Sequence, residues 1–192
     1  MDSTELLAQC RAGNRVAVEQ LVQEYQPRLF RLALSILDDG SEHGHAEAQE
    51  ATQDALMAAL RSLDSFRGEA KLSTWLFSIT VNLCRNRLRS RQRRERVSRI
   101  FQALTTPIDE SPAQPEAVMI KKQADSNLFE VVQSLNEKHR LPVILRYYHD
   151  CSVNEIAQIL DIPVGTVHSR LNTARNRMKY WLESAQNEES KP

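Results

Sequence analysis

The sequence predicts an all-α protein made of two small helical domains joined by a flexible linker. Apolar residues recur at intervals of three and four, whereas few segments alternate apolar and polar residues as strands do. Glycine is also scarce, with only 5 in 192 residues. Composition changes in the middle of the chain, where prolines and acids replace apolar residues. We therefore expect a first domain over 1–97, a linker over 98–122, a second domain over 123–186 and a frayed tail over 187–192.

The first domain shows four helical patterns separated by breaks. One pattern begins at Leu6, and another continues after Pro27. The stretch 38–47 contains two glycines, two histidines and several acids, which indicates a loop. Apolar residues at helical spacing then predict a helix over 48–63. A further helix is expected from Leu72, with its buried stripe running toward a cluster of arginines.

Charge is distributed unevenly although the chain is formally neutral, with 25 basic and 25 acidic residues. Residues 32–60 contain six acids and no lysine or arginine, whereas 85–99 contain eight arginines and one acid. The sequence thus predicts an acidic surface followed by a strongly basic one. Residues 100–120 contain no lysine or arginine, and they include Pro107, Pro112 and Pro115, as expected of an extended linker.

Several classes of protein are disfavoured by the same composition. The three cysteines are far apart and form no Cys-x-x-Cys pair, so neither a disulfide framework nor a cysteine zinc site is expected. His43 and His45 are interpreted as exposed loop residues rather than metal ligands. No apolar run approaches a membrane span, and no signal-peptide pattern opens the chain. We expect a cytoplasmic protein with no cofactor and no metal.

The second domain contains a pattern typical of a helix-turn-helix. Ser152 and Glu155 have the spacing of a capping box at the start of a helix. Residues 161–163 then force a tight turn, and a second helix is expected from Val164. The buried stripe of that helix is predicted to comprise Val167, Leu171, Ala174 and Met178.

The opposite face of this second helix carries short hydrogen-bonding side chains beside cations. Such a face can enter a major groove, contact base edges and pair with phosphates. An ordinary helical hairpin with a solvated face would show a similar pattern, so the residues alone leave both interpretations open. The predicted DNA-facing residues are Thr166, His168, Ser169, Arg170, Asn172, Thr173 and Arg175.

Two sets of motifs follow one another along the chain. The first comprises 53–56, 64–69, 74–76 and 79–82, and the second comprises 155–157, 162–170 and 174–175. They resemble the second and the fourth regions of the extracytoplasmic-function (ECF) sigma factors of the sigma-70 family, in the order that the family has them. The resemblance covers most of the chain, and it implies an alternative sigma factor that binds core RNA polymerase, directs it to promoters and helps to open them.

The resemblance also implies roles for residues of the first domain. In the family, the helix that holds Gln53 and Asp54 binds the clamp helices of the polymerase's largest subunit. A solvated acidic face is the other interpretation of this stretch. The implied core-binding residues are Glu47, Glu50, Gln53, Asp54, Leu56 and Leu60.

The segment from Trp75 to Arg89 resembles the part that reads and melts the minus-ten element. Melting requires capture of an unstacked base, and cations are expected along the strand, including Arg87 and Arg91. Trp75 either stacks on DNA or packs in the core. The implied minus-ten residues are Lys71, Thr74, Trp75, Asn82, Arg85, Asn86 and Arg89.

The chain departs from the family at three positions. His168 and Asn172 stand where the family commonly has basic residues, which weakens the phosphate contacts of the minus-thirty-five surface. Ser152 also belongs to that surface. Asn86 stands where many members have aspartate. The linker resembles the family's connector near the RNA exit path, and its acids Asp109, Glu110 and Glu116 are hypothesised to mimic RNA phosphates.

Three other functions remain as alternatives. A helix-turn-helix regulator acting without core polymerase would need only the second domain. An enzyme is disfavoured, because only the local cluster at His149, Asp150 and Cys151 offers catalytic groups and no catalytic motif appears. An interaction module is partly compatible with a sigma factor, since the resemblance implies an anti-sigma factor as a partner that packs the two halves together.

Overall fold

The structure, a computed structural model, describes residues 3–38, 40–105 and 131–189, which form helices and no strands. This confirms the all-α class. The N-terminal domain contains α1 (Ser3–Arg11), α2 (Arg15–Leu37), α3 (Glu42–Arg61), a short 3-10 helix (Leu63–Ser65) and α4 (Leu72–Thr105). The C-terminal domain contains α5 (Glu137–Val143), a π-helical turn (Ile144–Tyr148), α6 (Val153–Leu160) and α7 (Val164–Glu189). Residues 131–134 are also helical.

Helices α2, α3 and α4 pack against one another to form the first core, and α1 covers α2. Leu21, Leu29 and Leu32 of α2 are fully buried. Helix α3 faces them with alanines at helical spacing, which allow a close approach because their side chains are short. These buried alanines are Ala48, Ala51, Ala55 and Ala59. The acidic stretch therefore lies on a helix whose inner face is fixed by packing.

The predicted loop over 38–47 is wrong for most of its length, because α3 begins at Glu42. The hydroxyl of Ser41 accepts a hydrogen bond from the Gly44 amide at 3.2 Å and so caps the helix. Gly44 is itself buried within the helix. Helix α2 likewise runs uninterrupted through Pro27, which lies on its exposed side. Packing of the flanking apolar residues outweighs the local helix-breaking tendencies in both places.

Helix α4 begins at Leu72 as predicted and continues through the arginine cluster to Thr105. It therefore includes residues 98–105, which were predicted to belong to the linker. The remainder of that linker, with its three prolines and its acids, lies outside the described residues. At the other end, α7 continues to Glu189, so the frayed tail does not start at residue 187. Residues 190–192 lie outside the described part.

The C-terminal domain has the predicted helix-turn-helix. Asp161 ends α6 in the left-handed conformation, with φ of 51°, and the Ile162 amide donates to the Ala157 carbonyl at 3.0 Å. This arrangement turns the chain within three residues. In the predicted stripe of α7, Val167, Leu171 and Ala174 are buried and Met178 is half-buried. The opposite face of α7 consequently points to solvent.

The two domains are in contact, and α4 packs along α6. Helix α5 packs on α7 and supports the second helix of the motif. The helix proposed to read the minus-ten element therefore lies beside the first helix of the helix-turn-helix.

The capping box predicts a measurable contribution to stability. The Ser152 hydroxyl accepts from the Glu155 amide at 3.2 Å, and the Ser152 amide donates to the Glu155 carboxylate at 2.8 Å. Replacing Ser152 by Ala should lower the free energy of unfolding by about 0.5–2 kcal/mol, because the helix loses its cap. Denaturation followed by circular dichroism measures this loss. Asn154→Ala, an exposed change in the same helix, should stay within about 0.5 kcal/mol, and an equal loss in both variants would contradict the prediction.

Candidate polymerase and nucleic-acid interfaces

The acidic helix α3 divides the predicted docking residues into an exposed and an inner group. The side chains of Glu50 and Asp54 are 70% and 53% exposed, and Gln53 is exposed beside them. Leu60 is half-buried. Glu47 and Leu56, by contrast, are only 8% and 6% exposed. These two residues position the helix, and a partner would meet the exposed group.

Arg87 points toward this acidic surface. Its guanidinium donates to Glu50 Oε2 at 3.0 Å and to Asp54 Oδ2 at 2.5 Å. The sequence placed Arg87 among the cations that line a DNA strand. The structure instead joins it to α3, a pairing between helices that periodicity along one helix cannot reveal.

The start of α4 contains both buried and exposed members of the predicted minus-ten set. Thr74 is 4% exposed and therefore lies in the core. Trp75 is half-buried, and its ring lies 5.2 Å from that of Phe66. This contact favours packing within the protein over stacking on DNA. Asn82, Asn86 and Arg89 are exposed. The accessible part of this set therefore lies farther along α4.

Two predicted minus-ten cations are paired with carboxylates of the C-terminal domain. Lys71 Nζ lies 2.9 Å from Glu155 Oε1, and the hydrogen bond from Lys71 is the largest cause that lowers the pKa of Glu155 to about 2. Arg85 Nε lies 2.6 Å from Glu137 Oε1, and both side chains are 28% exposed. Nucleic acid would have to compete with Glu137 and Glu155 for these cations.

His149 lies in the same contact between domains. Its Nε2 is 3.2 Å from the Ser35 hydroxyl, and its ring meets that of Phe77 edge to face at 5.7 Å. Burial, assisted by nearby Arg31 and Arg28, lowers the pKa of His149 to about 4. The imidazole is therefore neutral near pH 7 and packs as a ring with one hydrogen bond.

The polar face of α7 is open to solvent at its centre. His168, Ser169, Asn172 and Arg175 are exposed. Thr166, Arg170 and Thr173 are half-buried, and Ser152 lies exposed at the start of α6. The exposed members of the predicted minus-thirty-five set therefore lie on the solvent-facing side of α7 and at the start of α6.

A groove of about 470 Å³ lies beside this face, and the sequence did not anticipate two of its residues. Arg146 is held by a hydrogen bond to the Cys151 carbonyl at 3.0 Å. The Tyr147 hydroxyl lies 3.3 Å from Arg175 Nη2. Arg146 and Arg175 therefore line the groove with two guanidinium groups, which suit a phosphate backbone. The unusual π-helical turn places Arg146 and Tyr147 there, and no sequence pattern signals it.

Comparison with known proteins identifies both domains. Residues 21–94 match sigma-70 region 2, and residues 126–178 match sigma-70 region 4. The chain is 32% identical to the ECF RNA polymerase sigma-E factor of Escherichia coli K12 over 175 residues, which cover 88% of each chain. It is 29% identical to the RNA polymerase sigma-H factor of Pseudomonas aeruginosa, with 93% of each chain covered.

The chain belongs to the ECF sigma factors of the sigma-70 family. It is an alternative sigma factor, a transcription initiation factor that acts with core RNA polymerase on promoter DNA. The match to region 2 decides against a plain helix-turn-helix regulator, which would need only the second domain. The predictions of family, function and these two partners are confirmed.

Solved structures agree with this fold. The sigma factor RpoE in complex with the anti-sigma factor NepR, from Bartonella quintana, matches with 27% identity and a TM-score of 0.59. That match covers 86% of this chain and 96% of the solved one. CnrH in complex with the cytosolic domain of CnrY has 24% identity, a TM-score of 0.64 and coverage of 93% and 96%, and it supports the fold alone.

Histidines, cysteines and long apolar helices can provide other kinds of site in a protein. Within the described ranges, no cluster of three or more histidines, cysteines and acids could hold a metal ion. His43 and His45 are exposed, but they lie on α3 rather than in a loop. Burial raises the pKa of the Cys151 thiol to about 11, which opposes the thiolate that a catalytic cysteine requires. None of the helices described is long and apolar enough to cross a membrane.

Glu155 makes the stability of this sigma factor depend on pH in a predictable direction. A carboxyl with a pKa near 2 when folded and about 4.3 when unfolded stabilises the folded state above the unfolded value. That stabilisation disappears as the pH falls toward 2. Glu155→Gln keeps an oxygen for the cap but cannot form the ion pair. The wild-type Tm should exceed that of the variant near neutral pH, and the difference should shrink between about pH 4 and pH 3.

Calorimetric scans of both chains at several pH values measure this difference. Glu42→Gln, an exposed change on α3, serves as the matched control, and its difference from wild type should vary less with pH. A gap between wild type and Glu155→Gln that stays constant with pH would refute the role assigned to Glu155.

Proposed function

We propose that this sigma factor uses three separate surfaces during initiation. The exposed acids of α3 dock on core polymerase, α4 contacts the minus-ten element, and α7 contacts the minus-thirty-five element. Region 2 would occupy residues 1–97 and region 4 residues 123–186. The observation that carries the proposal is the segregation of charge and polarity, with acids on α3, cations on α4 and short polar side chains on α7.

Docking would involve Glu50, Gln53 and Asp54, with Leu60 at the edge of the surface. These side chains lie on one helix whose inner face is buried, so they are presented without rearrangement of the backbone. The resemblance to the family names the clamp helices of the largest polymerase subunit as the partner. Exposed carboxylates suit cationic or mixed surfaces of this kind, since complementary charge speeds encounter and fixes register.

Contact with the minus-ten element would depend on the exposed amides of α4. Asn82 and Asn86 offer donors and acceptors for an unstacked base, and Arg89 offers a cation for the strand. Trp75 and Thr74 would support this surface by packing, because the structure turns them toward the protein. Lys71 and Arg85 would join only after their partners in region 4 release them.

Contact with the minus-thirty-five element would depend on the middle of α7. Ser169 and Asn172 are short and exposed, so they can approach base edges in a major groove. Arg175 and His168 flank them and would meet phosphates, with Arg146 from the neighbouring groove. An imidazole at position 168 makes this phosphate contact weaker than an arginine would, because it lacks the permanently charged, forked guanidinium.

Opening of the contact between the domains would precede promoter binding. The Arg85–Glu137 pair is partly exposed, and pairs of that kind contribute about 1 kcal/mol or less. The Lys71–Glu155 pair is limited to a similar value, because Lys71 is 75% exposed. These two charge pairs therefore oppose opening only weakly when polymerase binds α3. The match to the RpoE complex with NepR supports an anti-sigma factor as a partner. An anti-sigma factor that bridged both domains would hold the contact between them closed.

Location and chemistry follow from the same proposed role. The sigma factor would act in the cytoplasm, where core polymerase transcribes. It would not be an enzyme, since RNA synthesis belongs to the polymerase and the protonated, buried Cys151 offers no nucleophile.

In vitro transcription with sigma-free core polymerase and a promoter library tests the proposal. Transcripts should start downstream of a shared two-part motif. Asn82→Ala should change the selected minus-ten half alone, and Asn172→Ala the minus-thirty-five half alone, because each removes one polar reader. Loss of one base preference corresponds to about 1–3 kcal/mol.

Gln20→Ala, an exposed change on α2, should leave both halves of the motif unchanged. Absence of sigma-dependent transcripts with the wild-type chain would contradict the proposed function. Transcripts whose motif does not respond to either asparagine variant would contradict the assignment of α4 and α7.

A further inference from the structure

Arg87 differs from the other arginines of α4 in the direction of its side chain. Its two terminal nitrogens reach Glu50 Oε2 at 3.0 Å and Asp54 Oδ2 at 2.5 Å. The Arg87 side chain is only 23% exposed, whereas those of Glu50 and Asp54 remain 70% and 53% exposed. The cation therefore lies behind the two carboxylates and presents them to solvent.

A guanidinium held in this way is poorly placed to bind a nucleic-acid strand. Each of its terminal nitrogens donates to a different carboxylate, and charge-assisted bonds of this forked kind are among the stronger hydrogen bonds in proteins. A phosphate would have to displace both acids. Arg89, by contrast, is exposed on the same helix.

The fork, formed by Arg87 with Glu50 and Asp54, also restrains the side chains of the two acids. Glu50 and Asp54 are one turn apart on α3, where like charges repel and tend to separate the side chains. Arg87 opposes this repulsion and draws one oxygen of each carboxylate toward itself. The fork does not use Glu50 Oε1 and Asp54 Oδ1, so these oxygens can accept hydrogen bonds from a partner.

We propose that Arg87 is a positioning residue for polymerase docking, which holds Glu50 and Asp54 in the arrangement that core polymerase binds. This inference rests on the proposed docking role of the two acids. It assigns Arg87 to the polymerase surface, although its neighbours in sequence belong to the nucleic-acid surface.

Two opposing effects determine whether Arg87 raises or lowers the affinity for core polymerase. Arg87 reduces the net charge of the cluster from minus two to minus one, and one exposed charge pair is worth up to about fivefold in affinity. Ordering a free, long side chain on binding costs about two- to tenfold. Since Arg87 orders two side chains in advance, positioning outweighs the lost attraction, and removal of Arg87 should weaken docking.

The test is competition of full-length variants against labelled wild-type sigma factor for core polymerase. Arg87→Met keeps the length of the side chain and removes the fork, so its affinity should fall by about tenfold. Arg94→Met removes the same charge from an exposed position on α4 and should leave the affinity unchanged. Arg87→Lys can reach only one acid at a time and should fall between Arg87→Met and wild type.

A double-mutant cycle separates positioning from direct contact. Glu50→Gln with Asp54→Asn should weaken docking, and addition of Arg87→Met to that pair should cause no further loss, because nothing remains to be positioned. A further tenfold loss in that background would show direct contact with polymerase and overturn the inference. Unchanged or tighter binding of Arg87→Met alone would also overturn it, even if its Tm falls.

The same experiment distinguishes this inference from the proposed function. A wild-type chain that does not bind core polymerase would overturn both. Wild-type binding that is weakened by Glu50→Gln with Asp54→Asn, but is not weakened by Arg87→Met, would overturn the role of Arg87 alone.

Discussion

Burial of one face of α4 against α2 and α3 determines where the cations of that helix point. Leu76, Val81 and Cys84 are almost completely buried, and a buried apolar side chain of this size contributes about 1.5–3 kcal/mol. An exposed ion pair contributes less than about 1 kcal/mol. The apolar face therefore sets the rotation of the helix, and the charged side chains adapt to the positions that remain.

Three different surroundings result for cations only a few residues apart. Arg87 meets the acids of α3, Arg85 meets Glu137 of region 4, and Arg89 faces solvent. One helix thus connects the proposed polymerase surface, the contact between the domains and the proposed nucleic-acid surface. Release of region 4 would free Arg85 and Lys71 while the fork on α3 stays intact, so docking and DNA binding can be controlled separately.

The contact between domains combines weak charge pairs with a neutral ring. His149 packs against Phe77, and its low pKa keeps it uncharged near neutral pH. Glu155 serves two purposes, since it caps α6 through Ser152 and pairs with Lys71. In the proposed mechanism this contact is closed in the absence of a partner, and its charge pairs oppose opening only weakly. That balance suits a subunit whose activity is set by competition between partners.

Local signals in the sequence predicted the all-α class and the helix-turn-helix correctly. Apolar spacing located α4 and α7, and Ser152 with Glu155 marked the start of α6. Contacts between distant residues cannot be predicted in this way, so the sequence indicates neither the pairing of Arg87 with α3 nor the burial of Glu47. The loop predicted over 38–47 failed because the cap at Ser41 and packing of α3 outweighed two glycines. Arg146 and Tyr147 depend on a π-helical turn that has no sequence signature.

In the proposed mechanism, the free sigma factor is closed through region 4 and opens on core polymerase. Spin labels at Gln20→Cys on α2 and Gln158→Cys on α6 would report the separation of the domains, because both sites are exposed whereas the three native cysteines are buried. Pulsed dipolar spectroscopy should give one short distance for the free chain and a longer one with core polymerase. Glu137→Gln with Glu155→Gln should broaden the free-state distribution toward the longer distance. The same distance in the free and polymerase-bound chains would contradict the account.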